Sequence, residues 1–189
     1  MFNKPRLLTP GPTPLPERVR LALAQDMIHH RKPGFKKILL ETETMLQKLF
    51  GTEQPVLPLS CSGTGAMTAA VHGLFLPGET VIVVNGGKFG ERWSKIAAVR
   101  GLKVVEIDVA WGQAVTPAQV EQALREHPEA KGVLMQVCET STAAQHPVEA
   151  IARLTRTREV LLVADGISAV GISPCPMDAW GIDCLLTGS

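Results

Sequence analysis

The chemistry-bearing residues of this chain gather where apolar runs end. Ser62, Gly63, Thr64 and Gly65, followed by Ala66 at the start of an alanine-rich helix, form a small-residue turn after the apolar approach Val56, Leu57 and Leu59. Such a turn leaves the first amides of the next helix unpaired and facing outward, which suits a phosphate. A bare Gly-x-Gly also marks an ordinary strand–turn–helix joint, so other residues must decide. The run Glu159–Asp165 ends abruptly in Asp165, a carboxylate that could be a metal ligand, a ribose reader, a helix cap or the partner of a cationic ring. No second carboxylate accompanies it, which disfavours a metal. Gly132–Cys138 runs into Glu139-Thr140-Ser141-Thr142, which is either a plain turn or a set of hydroxyls for an oxygen-bearing ligand. Asn85-Gly86-Gly87 closes a β-branched run, and its glycines favour Phe89 as a residue presented from a loop.

These features sort the candidate ligands. A dinucleotide fold needs a third glycine and an acid about 20 residues on, at the end of the next strand. Here Thr68 occupies the glycine position and the next strand ends in Asn85-Gly86. A P-loop is excluded because no Gly-Lys-Ser/Thr follows the turn. A phosphate cradle, an aromatic (Phe89), hydroxyls (Thr140, Ser141) and a carboxylate (Asp165) suit pyridoxal phosphate. The acid would keep the pyridine nitrogen protonated and make the ring an electron sink.

The elements that must position these residues alternate. Helices are predicted from Glu17 to Gln25, from Phe35 to Phe50 with its apolar face in the core and Gly51 as its stop, and from Ala66 to Phe75. Further helices run to Arg100, from Pro117 to Arg125 behind an N-cap Thr116, and from Pro147 to Arg158. Between them lie short β-branched runs at Thr80–Val84, Lys103–Val109, Gly132–Cys138, Glu159–Asp165 and Ile182–Thr187, typical of buried parallel strands. The expected fold is α/β, a mostly parallel sheet with helices on both faces and ligands at its carboxyl edge. Residues 1–16 read as an extended, proline-rich arm, and 17–189 as part of one large domain.

The chain has 189 residues, 19 basic and 18 acidic, so near-neutral charge without a basic run gives no footprint for nucleic acid. No apolar stretch reaches membrane-spanning length, and Met1–Arg6 lacks the apolar core of a signal peptide, so the expectation is a cytoplasmic protein. Cys61, Cys138, Cys175 and Cys184 are scattered and read as buried thiols, with Cys61 a nucleophile only if an acid or histidine approaches it in space. His29 and His30 are adjacent rather than helix-spaced and do not suggest a metal.

As a set, Leu8-Thr9-Pro10-Gly11-Pro12-Thr13, His30-Arg31, Ser62-Gly63-Thr64-Gly65-Ala66, Asn85-Gly86 with Phe89-Gly90-Glu91-Arg92, Glu139-Thr140-Ser141-Thr142, Val163-Ala164-Asp165 and Gly181-Ile182-Asp183 leading to Thr187-Gly188-Ser189 resemble the class V aminotransferases of pyridoxal-phosphate fold type I. The alanine/serine–glyoxylate branch is the most similar. The resemblance implies Thr64, Gly65 and Ala66 as phosphate binders, Phe89 as the ring-stacking aromatic, Thr140 as the hydroxyl near the ring oxygen and Asp165 as the pyridinium partner. It also implies a homodimer with the arm near the subunit boundary, and transfer of an amino group from alanine or serine to glyoxylate or pyruvate. In that family Gly-Ser is followed at once by Gln and the Schiff-base lysine. The 189 residues therefore read as roughly the first half of such an enzyme, with the lysine, the substrate-carboxylate arginine and the small domain expected beyond Ser189. Taken alone they would bind the cofactor weakly and not complete transamination. A lyase or desulfurase on the same fold, and a non-catalytic module for a phosphorylated ligand, are the alternatives; His30, Arg31 and Trp111 carry no assigned role.

Overall fold

The computed structural model describes residues 7–188; Met1–Arg6 and Ser189, including the expected junction after Ser189, lie outside the described residues. The chain divides into two units, Met1–Met45 and Leu46–Ser189. In the first, residues 7–16 have no regular structure and are exposed, as four prolines in ten residues require. Helix α1 follows (Glu17–Leu23), shorter at its end than predicted. Helix α2 (Pro33–Phe50) starts two residues early, at its proline, and stops before Gly51, which has φ +63°.

The apolar spacing of α2 predicted a core helix, and this is corrected. Ile38, Leu39, Met45 and Leu49 are each 42–61% exposed, and only Phe50 is buried. Periodicity specifies a face that requires cover; it does not specify which surface supplies it.

The second unit is built on five parallel strands, β1 (Thr80–Asn85), β2 (Lys103–Asp108), β3 (Gly132–Gln136), β6 (Leu161–Asp165) and β7 (Cys184–Leu186), in the order β2-β1-β3-β6-β7. Between β3 and β6 a small antiparallel pair, β4 (Cys138–Glu139) with β5 (Ala144–Gln145), tightens the segment predicted as a strand end. Helices α3 (Gly63–Leu74) and α4 (Lys88–Arg100) cover one face, and α5 (Pro117–Glu126) and α6 (Val148–Arg156) the other. Strand periodicity divides the core accordingly. Ile82, Val84, Val133, Met135, Leu162 and Ala164 face α5 and α6, while Val81, Val83, Leu134 and Val163 meet Met67, Val71, Trp93 and Ala97 of α3 and α4. A four-residue helix α7 (Met177–Trp180), not anticipated, ends at Gly181 with φ +77°.

From β1 the chain crosses by α4 to β2, then returns by α5 on the opposite face to β3. The order thus reverses beside β1, which opens a crevice at the carboxyl ends of β1 and β3. The stretch Val56–Leu59, predicted as strand-like, joins no sheet. Pro55 and Pro58 each lack the N–H that a ladder needs.

Candidate functional site

At the crevice, α3 begins three residues earlier than the sequence suggested. Ser62 is its N-cap, and Ser62 Oγ accepts the Gly65 amide at 3.3 Å while Ser62 O accepts the Ala66 amide at 3.0 Å. The Gly63 and Thr64 amides, in the first turn, have no acceptor within the helix. Gly65 is required by close approach: a Cβ there would stand 2.7 Å from Cys61 Cβ and 3.0 Å from its Sγ. Cys61 itself is exposed, correcting its reading as a buried thiol.

Phe89 is not presented from a loop. It lies in the first turn of α4, half-buried, because helix α4 begins at Lys88, immediately after the glycine pair. Its ring carries the Arg92 guanidinium, whose Cζ is 4.6 Å from the ring centroid, one turn along the same helix. Arg92 Nη1 also donates to Thr64 Oγ1 at 2.9 Å, tying the start of α4 to the start of α3.

Glu139 fixes this first turn from below. It is completely buried, and its Oε2 accepts the Gly90 amide at 2.9 Å. Its Oε1 accepts the amides of Phe89 at 3.3 Å and Ser141 at 3.1 Å, and the Ser141 hydroxyl at 2.6 Å. A carboxylate against the positive end of a helix is favourable, and three amides and a hydroxyl repay its removal from water. Gly87 makes room for it, since a Cβ there would come within 2.7 Å of Glu139 Cγ. Ser141 Oγ further accepts the Lys88 amide at 3.1 Å, so this hydroxyl serves the turn. Thr140, by contrast, shares a short hydrogen bond with Ser168, in the loop after Asp165.

Asp165 ends β6 and is 2% exposed. Among the described residues its carboxylate takes one hydrogen bond, from the Ile167 amide to Oδ1 at 2.9 Å. Burial pushes its pKa from 3.8 up to about 6; the Ile167 amide and then the Gln136 side chain oppose this, and Glu139 adds to it while Arg92 subtracts. Asp165 pairs in register with Gln136, and both continue the rows of Val163 and Leu134 that face α3 and α4.

The structure thus brings Thr64, Gly65, Ala66, Phe89, Thr140 and Asp165 to the edge served by α3 and α4. Trp111 is 62% exposed on the loop after β2, with Lys88 Nζ 5.9 Å from its ring. His30 and Arg31 are exposed in the first unit, the ring of His30 stacked on His29 at 4.7 Å. Sequence reasoning assigned nothing to Glu139, Arg92, Ser168 or Gln136. Glu139 bears the same signature as Asp165, an acid closing an apolar run. Gln136 is the single polar residue inside one. Among the described residues no group of three or more His, Cys, Asp or Glu could hold a metal ion, and no helix is long and apolar enough to cross a membrane.

The family model described as aminotransferase class-V matches residues 10–189. The chain is 35% identical over 192 aligned positions to the small subunit of a soluble hydrogenase from Synechococcus sp. (strain PCC 6716), covering all of this chain and 50% of that protein. It is 31% identical over 194 positions to an L-aspartate–glyoxylate aminotransferase from Paracoccus denitrificans (strain Pd 1222), covering all of this chain and 49% of that one. A crystal structure of an alanine–glyoxylate aminotransferase from Nostoc sp. superposes with a TM-score of 0.92 at 30% identity, over 95% of this chain and 48% of the other. The chain spans about half the length of the curated relatives it matches.

Proposed function

We propose, from the premise that this chain belongs to the class V aminotransferase family, that the protein binds pyridoxal phosphate at the carboxyl edge of its sheet and transfers an amino group from alanine or serine to a 2-oxo acid, glyoxylate or pyruvate. The observation that carries the reading is Asp165, a buried carboxylate with one claimed oxygen, on the sheet face covered by α3 and α4.

The residues fit the cofactor. The first turn of α3 has two amides without acceptors among the described residues and a glycine whose missing Cβ keeps Cys61 and the turn close. Thr64, through its amide and hydroxyl, and Gly65 would hold the phosphate; the Ala66 amide is already bonded to Ser62 and backs the same turn. Phe89 would lie against the ring, held by Glu139 from below and Arg92 from above. Thr140 would offer its hydroxyl to the ring oxygen, with Ser168 setting its direction. Asp165 would hold a proton on the pyridine nitrogen, and a cation there would relieve the cost of its own burial. When bound, pyridoxal phosphate supplies an electron sink for the charge left at the substrate Cα.

Strand β7 runs parallel to β6, with Leu186 beside Asp165, and Thr187 Oγ1 donates to Gly166 O at 3.3 Å. A lysine following Ser189, as the resemblance implies, would therefore leave from the rim of this site and serve as base and acid at Cα. The exposed Leu7, Leu8, Leu15, Leu21 and Leu23 of the first unit support a homodimer as the form that covers them.

The test is product analysis of the full-length protein loaded with pyridoxal phosphate and supplied with glyoxylate plus alanine, serine or aspartate. Glycine and the 2-oxo acid of alanine or serine appearing in equal amounts support the reading, and turnover of aspartate alone refutes these two donors. Donor breakdown without glycine points to lyase chemistry, and binding of the cofactor with no turnover of any donor refutes transamination.

A further inference from the structure

Gln136, like Trp93 and Ser94, has a buried polar side-chain atom with no hydrogen-bond partner among the described residues, and it is the one that sits beside Asp165. It is 2% exposed, at the last position of β3, and its Nε2 is fully buried with no hydrogen-bond partner among the described residues. An orphaned buried donor costs free energy that an apolar residue of the same volume would not. Its cross-strand neighbour in register is Asp165, on the same face of the sheet. The amide lies near enough to lower the proton affinity of that carboxylate, against the larger opposing effect of burial. The charged groups that also act on Asp165 come from other elements: Glu139 from β4, which raises its proton affinity, and Arg92 from α4, which lowers it.

We infer that Gln136 is a positioning residue for Asp165: its Nε2 donates to the carboxylate oxygen left unclaimed by the Ile167 amide once Asp165 is ionised against a cation, and so fixes the direction of the carboxylate. The inference rests on the pyridoxal-phosphate reading above and names a residue that acts through Asp165 rather than on the cofactor. The donor is idle while Asp165 is protonated and is used when it is charged. The fold therefore carries a small standing cost in one state that it recovers in the other.

The experiment measures the dissociation constant of pyridoxal phosphate as a function of pH, by quenching of tryptophan fluorescence, in the full-length protein and its Q136M, D165N and Q136M/D165N variants. In the parent, affinity falls below the pH at which the cofactor-free Asp165 protonates, about 6. In Q136M we expect binding about 10-fold weaker on the alkaline plateau and the break displaced upward by about half to one pH unit. Titrations of the ligand itself are common to all four proteins and cancel in the comparison. In the D165N background the Gln136 substitution should cost less than about threefold, because the carboxylate it serves is gone.

A merely structural glutamine would give equal losses in both backgrounds and an unmoved break, and either result overturns the inference. So does a lower thermal midpoint, or failure to fold, for cofactor-free Q136M, because replacing an idle buried donor by an isosteric apolar chain should leave that midpoint unchanged or raised. If the parent protein itself shows no binding of pyridoxal phosphate, the functional reading falls and this inference with it.

Discussion

Replacing Asp165 with asparagine should stabilise the cofactor-free protein while removing most of its activity. The carboxyl is 2% exposed, and burial raises its pKa from 3.8 to about 6. The native state therefore binds this proton more tightly than the unfolded chain. Between those two values stability falls as pH rises, and above about 6 the full penalty is present. At about 1.4 kcal/mol per pKa unit, the penalty near neutral pH is about 3 kcal/mol, and it shrinks to well under about 1 kcal/mol near pH 4. Asparagine keeps the shape and the acceptor for the Ile167 amide but not the charge, so D165N avoids the penalty at every pH. Allowing for relaxation around the site, urea unfolding of the cofactor-free proteins should show D165N about 1–2 kcal/mol more stable at pH 7.5, with the difference closing towards pH 4. Other titrating groups cancel in the difference between the two proteins. On the proposed reading, the same variant should retain measurable cofactor binding and lose turnover by on the order of 10²-fold or more, since the ring nitrogen would no longer have an anionic partner. A variant less stable than the parent at pH 7.5, or a difference independent of pH, would show that Asp165 is a structural carboxylate and refute the reasoning.

Two further substitutions separate the site from its scaffold. Gly65→Ala forces a methyl group to within 2.7 Å of Cys61 Cβ, so the first turn of α3 must shift; pyridoxal phosphate should bind about 10-fold or more weakly in a fluorescence titration, and unchanged affinity would remove this turn from the cradle. Thr116→Ala deletes the capping box of α5, in which Thr116 Oγ1 accepts the Gln119 amide at 3.3 Å and Gln119 Oε1 accepts the Thr116 amide at 2.8 Å; it should cost about 1 kcal/mol in chemical denaturation and leave cofactor affinity unaltered.

What the sequence made legible was what depends on neighbours in the chain. β1, β2 and β3 were placed to within two residues because each is a short, nearly continuous β-branched or apolar run bounded by glycine or charge. Thr116-Pro117 marked the start of α5 because N-cap and N1 chemistry is local. The position of Asp165 at the end of a buried strand was legible because an apolar run stops abruptly at its carboxylate. Phe89 was identified as a residue but given the wrong setting, since its flanking glycines serve close packing on β1 and Glu139 rather than a free loop. Glu139, Arg92 and Gln136 stayed silent because each acquires meaning from a partner some 30 to 50 positions away: the Gly90 amide, the Thr64 hydroxyl and the Asp165 carboxylate. The exposed face of α2 shows the complementary limit, where a correct periodicity led to a wrong environment.

The burial of Glu139 beneath the first turn of α4 also bears on which ligands the edge can discriminate. Two helices, α3 and α4, begin at this rim, and each begins with a positive pole that could attract an anion. One pole is permanently plugged by the protein's own carboxylate, which accepts the Phe89 and Gly90 amides. A diphosphate seeking to bridge both helix ends would find the second already occupied by the Glu139 side chain, whereas a single phosphate needs only the first. On the proposed reading the rim would therefore favour a monophosphate ester, because the protein offers one open helix end and one already occupied by its own side chain.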